Sequence, residues 1–257
     1  MNGLWKIRER ALKPGKIISD YLIEDVIGIG GYGIVYSATS TNSDEPVIIK
    51  QLRARKQNKA GVASFNKEKE ILQHLDHHSI PSFVDFFYNR GRYFLVMKRM
   101  NGITLDKLIF EHGKAFTKIE AFQILEKILE ILDNIHSERI VHLDLRPPNI
   151  MVDNEEQVSI IDFGLSAFIN STVKKRSNSL MREPQPKSDF YAIGHTLLFI
   201  LYSAYTPTSE KRKSWEEELE LSALQKQFIR KLLQIESPFL HTNEVLSKIR
   251  LILKDIK

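Results

Sequence analysis

Strand-like apolar runs dominate the first hundred residues, at 21–27, 34–38 and 47–50, and another opens the segment 92–102. One helical pattern interrupts them. In SFNKEKEILQHL (64–75), Ile71, Leu72 and Leu75 fall at helical spacing behind two glutamates, Glu68 and Glu70. From Thr117 onward the period is mostly that of helices. Thr117 and Glu120 predict a capping box ahead of a long helix with an apolar stripe of Ile124, Leu125, Ile128, Leu129, Leu132 and Ile135. A short apolar strand at 158–161 follows, then a buried helix opened by DFYAIG (189–194). A second capping box at Ser214 and Glu217 and a last helix carrying Ile249, Leu251 and Ile252 complete the pattern. The longest apolar stretch, 192–205, is too short and too interrupted to span a bilayer.

Two sets of polar residues stand out against this background. HLDLRPPN (142–149) places Asp144 and Asn149 five residues apart, and Asp162 of IIDFG follows thirteen residues later, after the strand at 158–161. Phosphoryl transfer needs this combination: an acceptor for the attacking hydroxyl's proton and two oxygen ligands holding Mg²⁺ against the phosphates. Upstream, GIGGYGIV (28–35) fits G-x-G-x-x-G-x-V with Gly28, Gly30, Gly33 and Val35. Glycines let backbone approach phosphates closely and reach φ values other residues avoid. Strand-like runs on both sides separate this loop from the dinucleotide-binding version, which opens a helix. VIIK (47–50) ends a third strand on Lys50, within reach of α and β phosphates.

With these motifs in this order, the chain resembles the protein kinase family, of the bacterial type related to eukaryotic serine/threonine kinases, from about Tyr21 to its end. The resemblance implies an α+β, two-lobed fold: a small antiparallel β lobe with one main helix, and a larger, mostly helical lobe. It divides the chain into a basic extension (1–20) and a kinase domain (21–257), with small lobe 21–97, hinge 98–100 and large lobe 101–257. It implies ATP and Mg²⁺ as cofactors. ATP would be held by Gly28, Ile29, Gly30, Gly31, Tyr32, Gly33, Ile34 and Val35, by Ile48, Lys50 and Met151, and by Met97, Lys98 and Met100 at the gatekeeper and hinge. Asn149 and Asp162 would hold the metal. Asp144, Arg146, Lys50 and Glu68 would be catalytic, with Glu68 forming the ion pair of Lys50 and Glu70 solvated. Asp189, with Gly194 after it, would accept hydrogen bonds from the catalytic loop's backbone, or else cap its helix. His136, His74, His77 and His78 read as structural, without the partners a zinc site needs.

Four departures from the family pattern carry consequences. Leu143 stands where many kinases place the arginine that receives a phosphorylated activation loop. Arg146 replaces the usual lysine, keeping the charge on a planar fork, while Pro147 favours serine/threonine over tyrosine as acceptor. Asp162 and Asp189 are only 27 residues apart, with REP (182–184) the sole remnant of A-P-E and no arginine partner for it in 236–246. Ile48 replaces the alanine above the adenine, which Met151 opposite can accommodate. Ser171, Thr172, Ser177 and Ser179, beside Lys174, Lys175 and Arg176, have the composition of a phosphorylatable loop.

Composition narrows the remaining classes. The 257 residues hold no cysteine, which excludes a disulfide framework, and no signal peptide is legible at the start. The reading is a cytoplasmic protein. Five basic side chains against one acidic give residues 1–16 a balance of +4 out of the net +5. Leu4, Trp5, Ile7 and Leu12 interleave with those charges, a weak membrane-contact signal. The body carries no basic stripe for nucleic acid. The expected activity is ATP- and Mg²⁺-dependent transfer to serine or threonine of proteins, with autophosphorylation. A kinase-fold enzyme acting on a small molecule and a non-catalytic pseudokinase are the alternatives. Oligomeric state is left open.

Overall fold

β-branched and aromatic residues favour extended backbone, and the first part of the chain folds accordingly into antiparallel strands. These are β1 (Ile17–Ile18), β2 (Tyr21–Ile29), β3 (Gly33–Ser40), β4 (Pro46–Leu52), β5 (Phe83–Asn89) and β6 (Arg92–Lys98), in the sheet order β1-β2-β3-β4-β6-β5. Helix α1 (Lys59–His74) joins them. The computed structural model describes residues 11–31, 33–171, 183–207 and 213–256. The chain divides into two compact units, Met1–Gln73 with Pro81–Arg99 and His74–Ile80 with Met100–Lys257. The division at Arg99/Met100 falls inside the hinge drawn at 98–100, while the stretch 74–80 belongs to the second unit and leaves the small lobe drawn at 21–97.

The two-residue period of strands sorts the sheet's side chains. Ile34, Tyr36 and Ala38, with Val47, Ile49, Phe94 and Val96, form a buried cluster on one face. Val35, Ile48, Lys50, Leu95 and Met97 take the alternate positions, in the register Val35↔Lys50↔Leu95 and Ile48↔Met97. The cluster includes Ile18, and Ala11 and Leu12 pack against it. The Tyr36 hydroxyl donates to Gln51 Oε1 (3.0 Å) and accepts from the Leu12 N–H (3.2 Å). Residues 11–20 are thus part of the fold and not an extension. Of the apolar residues read as a membrane-contact stripe, Leu12 packs against this buried cluster. The remaining apolar residues of that stripe, Leu4, Trp5 and Ile7, lie outside the described residues, as do Tyr32, Thr172, Lys174, Lys175, Arg176, Ser177 and Ser179.

The second unit is mainly helical. It contains β7 (Ile103–Thr104), α2 (Leu105–Phe110), α3 (Lys118–Ser137), β8 (Ile140–Val141), β9 (Ile150–Val152), β10 (Val158–Ile160) and β11 (Ala167–Phe168). Helices α4 (Pro186–Tyr202), α5 (Trp215–Glu218), α6 (Ala223–Leu232) and α7 (Thr242–Ile256) follow. The small strands pair as β10-β9-β7 and β11-β8. Helix α3 starts at the Thr117–Glu120 capping box, and all six residues of its expected stripe are buried, packed against α4 and α7. In α7, Ile249 and Ile252 are buried, but Leu251 is half exposed because it falls off the inward face. Asp189 lies inside the first turn of α4, whose N-cap is Gln185, so it does not cap the helix. Gly194 is required by packing: a Cβ there would come within 3.0 Å of Leu232 Cβ and Leu233 Cδ2. Among the described residues, no helix is long and apolar enough to cross a membrane.

Candidate active site

In the first unit, Lys50 sits in β4 between Val35 and Leu95 of the neighbouring strands. The strand continues through Gln51 to Leu52, so Lys50 is not its last residue. Its Nζ donates to both oxygens of Glu68, at 2.8 and 3.0 Å. Glu68 shares the buried face of α1 with Phe65, Ile71 and Leu72, and only 3% of its side chain is exposed, against 12% for Lys50. Glu70 is exposed. Desolvating two charges is tolerable when each hydrogen-bonds the other. The Gly30 N–H donates to Gly33 O (2.9 Å) and closes the glycine loop. None of Gly28, Gly30, Gly31 and Gly33 has a positive φ, so special dihedrals do not explain the glycines. Space does at Gly33, where a Cβ would lie 3.0 Å from Gln51 O. Ile29 and Ile34 occupy the strand ends flanking the loop, Ile29 exposed and Ile34 fully buried. Ile48 faces Met97 across the β4–β6 pair, and Met97 is buried. Beyond it, the Lys98 N–H is taken by Ser82 O (2.9 Å) and the Arg99 N–H by Pro46 O (3.3 Å).

In the second unit, the loop after β8 is held from beneath by a single carboxylate. Asp189 is fully buried; Oδ2 accepts from the His142 N–H (2.8 Å) and Oδ1 from the Leu143 N–H (2.7 Å). His136 Nε2 lies 2.9 Å from the same Oδ2, and its Nδ1 is 2.8 Å from Thr242 Oγ1. Thr196 Oγ1 donates to Leu145 O (3.0 Å) and Ser166 Oγ to His142 O (3.1 Å). His142 accepts the Asp144 N–H at Nδ1 (3.3 Å), which leaves Nε2 to donate to Ile161 O (3.2 Å). That arrangement requires the neutral ring. Complete burial pushes the His142 pKa below its usual value, outweighing the pull of Asp189, Asp162 and Asp144.

On this frame Asp144 is fixed in orientation. Arg146 donates to it twice, Nε to Oδ1 at 2.8 Å and Nη2 to Oδ2 at 3.1 Å. Asn149 Nδ2 donates to Asp144 Oδ2 and to its backbone oxygen, both at 2.8 Å. The hydrogen bond to Asp144 raises the Arg146 pKa further. The planar fork thus gives each oxygen its own N–H donor and fixes the plane of the carboxylate, which a single ammonium nitrogen does not do. Asn149 O accepts from the Ile161 N–H (2.9 Å), joining the loop to the strand that ends before Asp162. Leu143 and Asp162 both have φ of +62°, a left-handed conformation that costs a non-glycine residue about 1–3 kcal/mol. Met151, half-buried on β9, pairs with Ser159 and Thr104.

Residues 21–255 match the protein kinase domain family. The chain belongs to the protein kinase family. It is 35% identical over 92% of its length to the probable serine/threonine-protein kinase YbdM of Bacillus subtilis, covering 91% of that protein. It is 34% identical to the serine/threonine-protein kinase PrkC of the same organism and 31% to the probable serine/threonine-protein kinase PknB of Lactococcus lactis. It spans about a third of each of those two, 31% and 34%.

As a kinase, the chain departs from its family in places the structure makes concrete. Leu143 is 5% exposed and packs with Val141, Ala167 and Ile169 in an apolar cluster. Glu183 pairs locally with Lys187 one turn on (2.8 Å). Several residues that hold these loops carried no local signal: Ser166 and Thr196 act through partners remote in sequence, and Arg53 and Arg55 likewise reach remote carbonyls. The Arg53 guanidinium donates to Gly30 O (2.8 Å) and that of Arg55 to Gly31 O (3.2 Å).

Proposed function

We propose that the protein transfers the γ-phosphoryl group of ATP, with Mg²⁺, to serine or threonine hydroxyls of proteins, itself included. The observation that carries this reading is the fixed carboxylate of Asp144, oriented by Arg146 and Asn149 on a loop anchored at Asp189. Catalysis of this reaction is mostly positioning and charge stabilisation. Asp144 orients the acceptor hydroxyl and takes its proton. Arg146 steadies that carboxylate, and its charge is placed to balance the moving phosphoryl group. Lys50, held by Glu68, fixes the α and β phosphates beneath the glycine loop. The Asn149 amide oxygen and the Asp162 carboxylate are hard oxygen donors of the kind Mg²⁺ takes, and the ion supplies charge neutralisation at the phosphates. Because the Lys98 and Arg99 N–H groups are used by the sheet, the adenine donor of the hinge is expected from Met100. A need for ATP places the working compartment in the cytoplasm.

The test is transfer from labelled ATP to a generic protein substrate, to the protein itself and to a metabolite pool. Label in protein, on serine or threonine, is the expected result. Label confined to small molecules would favour the reading suggested by the 27-residue interval from Asp162 to Asp189, and no label anywhere would leave a binding module. Asp144→Asn, with shape conserved, should cut turnover by about 10²-fold or more, as loss of a positioned base does. ATP affinity should be kept.

A further inference from the structure

The turn after β4 is built to hold the glycine loop from outside. Gln57 Nε2 donates to Leu52 O (2.9 Å), and the Lys56 N–H to Arg53 O (2.8 Å), closing a 3-10 turn over Ala54–Lys56. This turn presses against the start of α1. A Cβ at Gly61 would lie 2.0 Å from Lys56 O, so only glycine admits the contact. From this braced turn Arg53 and Arg55 reach the carbonyls of Gly30 and Gly31, two consecutive peptides at the loop tip.

In a trans peptide the C=O and the following N–H point in opposite directions, and no cis bond occurs among the described residues. Fixing Gly30 O by a guanidinium therefore fixes the Gly31 N–H, aimed away from the arginine. A charge-assisted hydrogen bond to the carbonyl also polarises the peptide and makes its N–H a stronger donor. An oriented, strengthened amide is what an anionic phosphate requires.

We propose that Arg53 and Arg55 are positioning residues for the nucleotide phosphates, acting through the Gly30 and Gly31 peptides. The inference rests on the ATP-binding reading above and adds to it the device that presets the glycine loop. Arg53 is half-buried with the shorter bond, and Arg55 is exposed with the longer one. Water weakens the second, so Arg53 carries the larger share.

The experiment measures affinities of ATP and of adenosine by calorimetry for the full chain and for R53A, R55A and R53K. It also follows the Gly31 amide resonance of the nucleotide-free protein. Arg53→Ala should weaken ATP about fivefold, the loss expected for a partly solvated charge-assisted hydrogen bond. Adenosine affinity should not change, and the Gly31 amide should shift. Arg55→Ala should have a smaller effect of the same kind, and Arg53→Lys should recover part of the loss. Unchanged ATP affinity in R53A would overturn the proposal. Equal losses for ATP and adenosine would also overturn it, since they would report general damage to the unit. Weakened ATP with an unmoved Gly31 amide would mean that the cation meets phosphate directly, and the peptide route would fall. If the unaltered chain bound neither ligand, the ATP reading itself would fail and carry this inference with it.

Discussion

At the scale of single residues, the site depends on charges that are almost out of water. Only 12% of the Lys50 side chain and 3% of Glu68 remain exposed, so each needs the other more than a surface pair would. Lys50→Met should abolish transfer and also lower the unfolding free energy by about 3 kcal/mol, the lower end for breaking a buried pair, since a buried carboxylate loses a cationic partner. Urea denaturation of the single variants and of Lys50→Met with Glu68→Leu checks this. The double variant should regain most of the stability and none of the activity. Full stability in Lys50→Met alone would show that the pair's burial has no energetic consequence. The pairing of Lys50 with Glu68 was legible through the family resemblance, with helix spacing choosing Glu68 over Glu70. The hydrogen bond from His142 to Ile161 O was not, since that partner lies 19 residues away, just past the end of β10.

At the scale of elements, the stretch after Asp162 is tied down by apolar contact. Strand β11 pairs with β8 through Ala167↔Val141 and Phe168↔Ile140, and Leu143 closes the cluster beside them. A phosphate has no charge at Leu143 to meet, and a bistable element that a ligand does not bias is not switched by it. Replacing Ser171, Thr172, Ser177 and Ser179 with alanine should therefore change transfer to an outside substrate by less than about tenfold. A larger loss at unchanged nucleotide affinity would mean that another cation reads the phosphate.

The start of α3 offers a second test at this scale. Hydrogen bonds from Lys114, then from the Thr117 side chain and backbone, hold the Glu120 carboxyl down at about 2. A depressed carboxylate stabilises the fold above its unfolded value of 4.5, and the contribution disappears as pH falls toward about 2. Glu120→Gln should therefore melt below the parent at neutral pH, and the gap should narrow through that acid window. Melting curves of the two proteins across pH report it, and a gap independent of pH would show that the carboxylate's charge adds nothing to the cap.

At the scale of the whole molecule, residues 11–20 belong with the sheet they cover. Ile18 is buried in the cluster, and the Tyr36 hydroxyl takes the Leu12 N–H. A chain begun at Tyr21 should lose about 2 kcal/mol or more, the value of one fully buried aliphatic side chain. Urea denaturation measures it, and undiminished stability would mean that the cluster closes without this segment.

The sequence by itself determined the strands that flank the glycine loop and carry Lys50, the helix cap at Thr117 with its apolar stripe, and the phosphate and catalytic motifs, though not the strand at Phe83–Asn89. These rest on periodicity and on residues within a few positions of each other. Only the tertiary structure decided which loop amides Asp189 takes (His142 and Leu143), that His136 bridges it to Thr242, 106 residues from that histidine, and that Leu12 packs against the sheet's buried cluster. It also decided that Arg53 and Arg55 reach across to the glycine loop. The reason is physical: a buried polar group takes whichever partner packing brings within about 3 Å, and a local pattern carries no record of that choice.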